Sequence, residues 1–204
     1  MPGCATTLIK TRPEDTMDYR RLILDSVKGQ PPLNSGAFGT IYPLEGDLVA
    51  KLFHRWDKDD ARREFENLQQ MFSLDPRIRV PEPHALVELG ATDFPPFSPG
   101  YRVRPSAVVM ERIYGRPLDE MCQIKSRGKY LPALRKLLEA LREHRWYSLD
   151  LKRDHLLCMD GCAHVCLVDT HDMSMKTPRE DVGVDRVLRM YYARRLRDYR
   201  RSLA

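Results

Sequence analysis

Residues 33–53 read LNSGAFGTIYPLEGDLVAKLF, two short apolar runs around a glycine-punctuated bend, with Lys51 set inside the second run. Apolar and β-branched runs bounded by Gly, Pro, Asn and Asp predict strands, and Pro43-Leu44-Glu45-Gly46-Asp47 predicts a second turn before LVAKLF. A lysine inside an apolar strand loses hydration and needs a negative partner. The fold must therefore bring Lys51 a carboxylate or a bound anion, or leave it at a sheet edge. Gly36 and Gly39, separated by Ala37 and Phe38, would let main-chain N–H groups approach the oxygens of a polyphosphate, with Ser35 beside them and Phe38 shielding the contact. An ordinary hairpin turn accounts for Gly-x-x-Gly equally well. Lys51, twelve residues after Gly39 on the next strand, favours an anion beneath the turn.

The carboxylate is sought in the next element. Residues 57–74, DKDDARREFENLQQMFSL, predict a helix with Asp57 as N-cap and Ala61, Phe65, Leu68 and Phe72 along one apolar face. Glu64 lies beside that face and can lean toward the sheet, whereas Glu66 lies further round. Proline-rich stretches follow, with short strands in HALVEL and AVVMERI. Beyond Tyr114-Gly115-Arg116-Pro117 the pattern turns helical. Leu131, Leu134, Leu138 and Leu141 mark one face of LPALRKLLEALREHRWY. HLLCMDGCAHVCLVD predicts two strands around Asp160-Gly161, and a last amphipathic helix closes the chain. These elements predict an α+β chain: an arm over 1–30 with a short helix at MDYRRLILDSV, a small β-rich unit with one helix over 31–113, and a mostly helical unit over 114–204.

Charge and cysteine usage exclude several classes. Lys and Arg total 34 against 29 Asp and Glu, a net charge of +5, and much of the excess lies in RVLRMYYARRLRDYRRSLA. That segment has apolar residues at helical spacing and no aromatic-basic recognition motif, so a solvated helix face is the reading and no nucleic-acid partner is expected. No apolar run approaches the roughly 18 residues of a membrane span, and no secretory signal stretch is seen at the start, so neither membrane attachment nor Sec-type export is expected. Five cysteines favour a reducing compartment. Cys158, Cys162, His164 and Cys166 fit zinc-knuckle spacing poorly, and the cysteines are read as small hydrophobes.

A second cluster of chemistry occupies SLDLKRDHLLCMDGCAHVCLVDTHD. Asp150 follows the long helix, Lys152 and His155 come just after it, and Asp169 ends the second strand of the hairpin. A strand-end aspartate beside a phosphate site is a hard-oxygen ligand for Mg²⁺, and one on the preceding loop can take a proton from an attacking hydroxyl. Asp160 and Asp172 need no role beyond capping turns.

In this order the motifs resemble a protein kinase reduced to its essentials, over residues 33–172. LNSGAFGTIY is similar to the glycine-rich loop, LVAK to the strand lysine motif, RREFENL to the helix that carries the pairing glutamate, DLKRDHLL to the catalytic loop and VDTHD to the metal-binding segment. VVMERIYG resembles the hinge, with Met110 as gatekeeper and the main chain of Glu111 to Ile113 facing adenine. The resemblance implies a two-lobed kinase-like fold with a truncated helical second lobe. It implies ATP with Mg²⁺, or Mn²⁺, as cofactors. Lys51 paired with Glu64 would orient the phosphates beneath Ser35, Gly36, Ala37, Phe38, Gly39 and Ile41. Asp150 would act as base with Lys152 offsetting charge, and Asp169 with His155 would bind metal. Replacement of Lys51 by Met is expected to disturb nucleotide orientation with the fold intact.

The departures are specific. Asn34 replaces the first loop glycine, Ser148 the catalytic-loop histidine, His155 the usual asparagine and His171 the glycine after Asp169. Only 35 residues follow Asp169, too few for the usual activation segment, so control by activation-loop phosphorylation is not expected. Such brevity is similar to the HopBF family of effector kinases, which bacteria deliver by type III secretion. That resemblance implies a monomer acting on serine or threonine in the host cytoplasm, with the chaperone heat-shock protein 90 as target. A pseudokinase that only holds a host protein is the alternative.

Overall fold

The computed structural model describes residues 18–36, 39–53, 58–89, 106–121, 129–147, 155–159, 161 and 163–175. Helix α1 spans Tyr19–Gly29, and Asp18 caps it by accepting from the Arg21 N–H at 3.1 Å. Strands β1 (Asn34–Ser35), β2 (Gly39–Pro43) and β3 (Leu48–Phe53) lead to helix α2 (Lys58–Leu74). Strands β4 (Pro83–Glu88) and β5 (Ser106–Glu111) complete an antiparallel sheet in the order β1-β2-β3-β5-β4.

The near-continuous apolar run of β3 follows from burial on both faces. Ala50 and Leu52 pack with Ala85, Ala107, Val109 and Ile23 of α1. Val49 and Phe53 pack with Val108, Met110 and the α2 residues Ala61, Phe65, Leu68 and Met71. Alternation along the strand puts Lys51 on the α2 side. The short helix read within the first 30 residues is thus α1, and it covers the sheet. Ser26 Oγ fixes it by donating to the Pro43 carbonyl at 2.5 Å.

One detail of α2 differs from the sequence reading. Phe72 is exposed and Met71 is fully buried. Two partners pack on this helix, the sheet and the turn after Asp169. The buried stripe therefore widens to include Glu64, Asn67 and Met71, and Phe72 falls outside it.

The second part begins with β6 (Arg116–Pro117) and α3 (Leu118–Met121), followed by α4 (Leu131–Glu143). α4 buries Ala133, Leu134, Leu137, Leu138, Ala140 and Leu141, a wider face than the leucine spacing alone gives, and Leu131 is only partly covered. After Arg145, at φ 60°, come β7 (Trp146–Tyr147), β8 (Leu156–Met159), β9 (His164–Leu167) and β10 (Ser174–Met175). β8 and β9 form the expected hairpin, β6 extends it, and β10 pairs with β7. Cys158 and Cys166 are buried, and burial pushes the Cys166 thiol up to about 12, in line with a packing role. His164 is exposed. Among the described residues no helix is long and apolar enough to cross a membrane.

The segment between α2 and β4 ties the two parts together. Asp75 accepts from the main-chain N–H of Arg77 at 2.8 Å, from its guanidinium at 2.7 Å, and from His144 Nε2 at 2.9 Å, while Arg77 also reaches Glu143 at the end of α4. The Arg79 carbonyl accepts from Leu167 N at 2.9 Å, and its side chain pairs with Glu111. Side-chain hydrogen bonds from Arg77, then its main-chain N–H, hold the Asp75 carboxyl well below the usual range. A depressed carboxylate contributes stability above its unfolded value of about 3.9 and loses it as pH falls. Asp75→Asn should therefore be less stable than the wild type at pH 7, and the gap should close below about pH 4. Urea denaturation of both proteins across that range checks this. A gap independent of pH would exclude the charge as its cause.

Candidate active site around Lys51 and Asp169

Lys51 sits on the central strand, opposite Ile41 of β2 and Val108 of β5. Its Nζ donates to Glu64 Oε2 at 2.6 Å and to Asp169 Oδ1 at 3.1 Å. Lys51 and Glu64 are both buried, with Glu64 fully enclosed, whereas Glu66 is exposed. The Phe53 ring lies 5.1 Å from the ammonium. Burial alone would lower the lysine's pKa, but the charges of Glu64 and Asp169 and its hydrogen bonds to them raise it, so the ammonium stays protonated. Burial pushes Glu64 up, and Lys51 opposes that push. The question posed by a lysine in an apolar strand is answered by two carboxylates, one from α2 and one 118 residues along the chain.

Asp169 lies just beyond β9, which ends at Leu167, rather than ending that strand as the sequence reading had it. Its Oδ1 also accepts from His171 Nδ1 at 2.6 Å, and its Oδ2 lies 3.7 Å from His155 Nε2. Burial would raise this carboxyl, but the His171 hydrogen bond and the charges of Lys51, His171 and His155 hold it well below the usual range. His171 moves the other way: burial would lower it, and the bond to Asp169 outweighs burial and raises it. The sequence marked His171 only as a replacement for glycine. Here it is the nearest partner of the metal candidate.

Gly36 and Gly39 close a tight turn, with the Gly36 N–H donating to the Gly39 carbonyl at 2.9 Å and Ser35 Oγ 3.0 Å from Thr40 Oγ1. The two glycines differ in what requires them. A Cβ at Gly39 would lie 2.8 Å from the Leu52 carbonyl and 3.4 Å from Lys51 Cγ, whereas one at Gly36 would meet nothing closer than 4.0 Å. Gly39 is therefore required by the approach of β2 to β3 directly over Lys51, in addition to any ligand. Ile41 is partly buried beside it.

At the far end of β5, Met110, read from the sequence as the gatekeeper, is buried. The Glu111 N–H donates to Glu82 O at 2.9 Å and the Arg112 N–H to Asp47 O at 2.7 Å. Of the three hinge residues read as facing adenine, Ile113 is thus left as the candidate main-chain donor, while carbonyls stay candidates as acceptors. The Glu111 side chain serves Arg79. Gly115 passes so close to β8 that a Cβ there would sit 2.8 Å from the Cys158 carbonyl.

Asp150, Lys152, Ala37 and Phe38 lie outside the described residues, as do Ser148, Asp57, Cys162 and the C-terminal helix. The ends that bracket the catalytic-loop stretch are described: Tyr147 pairs with Ser174, and His155 stands beside Asp169.

The donor set suits a divalent cation. Glu64, Asp169 and His171 each bring a ligand-capable atom within 4.8 Å of the others, and Glu64 Oε1 is buried with no hydrogen-bond partner among the described residues. Carboxylate oxygen favours Mg²⁺ or Mn²⁺, and imidazole nitrogen shifts the preference toward the transition metal. Glu64 is bonded to Lys51 through Oε2, and Asp169, flanked by His155 and His171, is the candidate ligand that the sequence also marked.

The fold is shared with a solved protein. The crystal structure of WbdD superposes with a TM-score of 0.52 at 18% identity, over 81% of this chain and 38% of WbdD. The fold is kinase-like. A second WbdD structure, described as a bifunctional kinase-methyltransferase, aligns with a TM-score of 0.49 at 18% identity, over 76% of this chain and 34% of the other. The chain thus spans little more than a third of WbdD. No protein-family model matches the sequence, and neither does any curated protein sequence.

Proposed function

We propose that the chain is an ATP-dependent phosphotransferase acting on serine or threonine hydroxyls of a protein. The observation that carries this reading is the buried Lys51 ammonium bonded to both Glu64 and Asp169 beneath the Gly36–Gly39 turn. Two of its three N–H donors are taken by these carboxylates, which fixes the direction of the third for a phosphate oxygen. Asp169, with His155, would hold Mg²⁺, which when bound neutralises charge on the phosphates. Asp150 would orient the acceptor hydroxyl and receive its proton, and Lys152 would offset charge at the transferring group. Met110 and the main chain from Glu111 to Ile113 would line the adenine side.

The finer reading rests on the likeness to the HopBF effector family. It makes this a monomeric effector kinase, delivered by type III secretion, whose target in the host cytoplasm is heat-shock protein 90. Incubation with labelled ATP, Mg²⁺ and either host-cell extract or purified heat-shock protein 90 tests both levels, with phosphoamino-acid analysis of the product. Label on serine or threonine of the chaperone is expected. Label only on another protein would remove the chaperone and keep the kinase. Absence of label with retained ATP binding would favour a pseudokinase, a reading that draws on His171 and Lys51 both occupying Asp169 Oδ1.

A further inference from the structure

Asn67 stands on α2 three residues after Glu64 and is buried. Its Nδ2 donates to the Thr170 carbonyl at 2.6 Å and to the Met173 carbonyl at 2.9 Å, using both of its amide hydrogens. These carbonyls belong to the first and last residues of one turn, closed by the Met173 N–H donating to Thr170 O at 3.1 Å. Asp169 immediately precedes that turn and His171 lies within it. Thr170 is fully buried, and its hydroxyl reaches the Glu64 carbonyl at 3.5 Å. These links from the turn to α2 thus land on Glu64 and Asn67, within one helical turn of each other.

We propose that Asn67 is a positioning residue that locks the Asp169 turn onto α2, so that Glu64 and Asp169 keep fixed places around Lys51. Its catalytic consequence rests on the phosphotransferase reading. The physical reason is satisfaction of buried polar groups. If the turn swung away, the Asn67 amide and the Met173 carbonyl would be left unpaired in buried surroundings, which is more costly than the net worth of the bonds themselves. Threonine at 170 has little apolar area with which to anchor the segment by packing alone. Met173, buried in the core, packs the end of the turn, and the amide clamp holds its main chain. The clamp needs no covalent modification to hold the carboxylates in place.

The test compares wild type with Asn67→Leu, which removes both donors and keeps the branched side-chain shape, and Asn67→Asp, which puts acceptors against two carbonyls. Ile23→Val, on the opposite face of the sheet, serves as a mildly destabilised control. In the wild type the Asn67 side-chain amide protons and the Met173 N–H should exchange slowly with solvent. In both Asn67 variants, protection at Met173 and the Mg²⁺-dependent gain in ATP affinity should each fall about tenfold or more. ATP affinity measured in EDTA should stay within about threefold, since no direct nucleotide contact is lost. A merely structural role would lower the melting temperature and leave the Mg²⁺ dependence intact, as Ile23→Val should. Wild-type Mg²⁺ dependence in a folded Asn67→Leu protein would overturn the proposal. So would fast exchange of the Asn67 amide protons in the wild type, whether or not the variants fold. A wild-type protein with a protected turn that binds no ATP would overturn the phosphotransferase reading and support the clamp.

Discussion

Asp169→Ala should fold and lose phosphoryl transfer by at least about two to three orders of magnitude, the scale of removing one preorganised charge from a transition-state site. The carboxylate is kept ionised by His171 at 2.6 Å and Lys51 at 3.1 Å, both on Oδ1, which leaves its Oδ2 for a divalent ion. Its loss removes the candidate metal ligand and one of the two anchors of the lysine together. Asp169→Asn separates the two effects, because it keeps the shape and a weak acceptor for Lys51 and loses the charge. His155→Asn, at 3.7 Å from the carboxylate, should retain much of the activity. Initial rates at saturating ATP, across Mg²⁺ and Mn²⁺ concentrations and with thermal melts as a folding control, measure all three. An Asp169→Ala protein that melts normally and transfers phosphate at the wild-type rate would sink the metal assignment and most of the kinase case.

Lys51→Met should be inactive and also substantially less stable, by about 3–5 kcal/mol, the range for removing one partner of a buried ion pair. The sequence reading expected this substitution to spare the fold. The burial changes that expectation: Glu64 is fully enclosed, and Asp169 is beside it. Without the ammonium the two carboxylates face each other in a poorly solvated site, and Glu64, already pushed up by burial, would take a proton to remain there. The double variant Lys51→Met with Glu64→Gln should recover much of the lost stability and none of the activity. A double-mutant cycle in urea measures the coupling. Additive single effects would show that the 2.6 Å contact contributes little and that Lys51 is held by packing.

Lys51 and Glu64 were legible as a pair because a charge in an apolar run demands compensation, whereas Asp169 was read only as a metal candidate and its bond to Lys51 was not foreseen. The helices and strands around them were legible for the same reason that they are stable, since their apolar periods match the faces they bury. Asn67 was not legible. A lone asparagine on an amphipathic helix reads as solvated, and its partners are main-chain carbonyls 103 and 106 residues away, whose position no side-chain pattern announces. His171 could have been found: an imidazole two residues from a candidate metal carboxylate is a natural hydrogen-bond donor to it. Phe72 misled because strict helical spacing assumes one partner surface, and α2 has two. The network around Asp75 joins polar residues from two helix ends, which separately read as ordinary surface charges.

The placement of α1 has a practical side. A boundary near residue 30 looks natural for anyone trimming the chain to its chemical core, because the glycine turn and the lysine strand begin just beyond it. Yet Ile23 is fully covered against Ala50, Leu52, Ala85, Ala107 and Val109. Cutting there would strip the roof from a sheet that is apolar on both sides and turn a packed face into an adhesive one, inviting self-association in preparations meant to isolate the catalytic part.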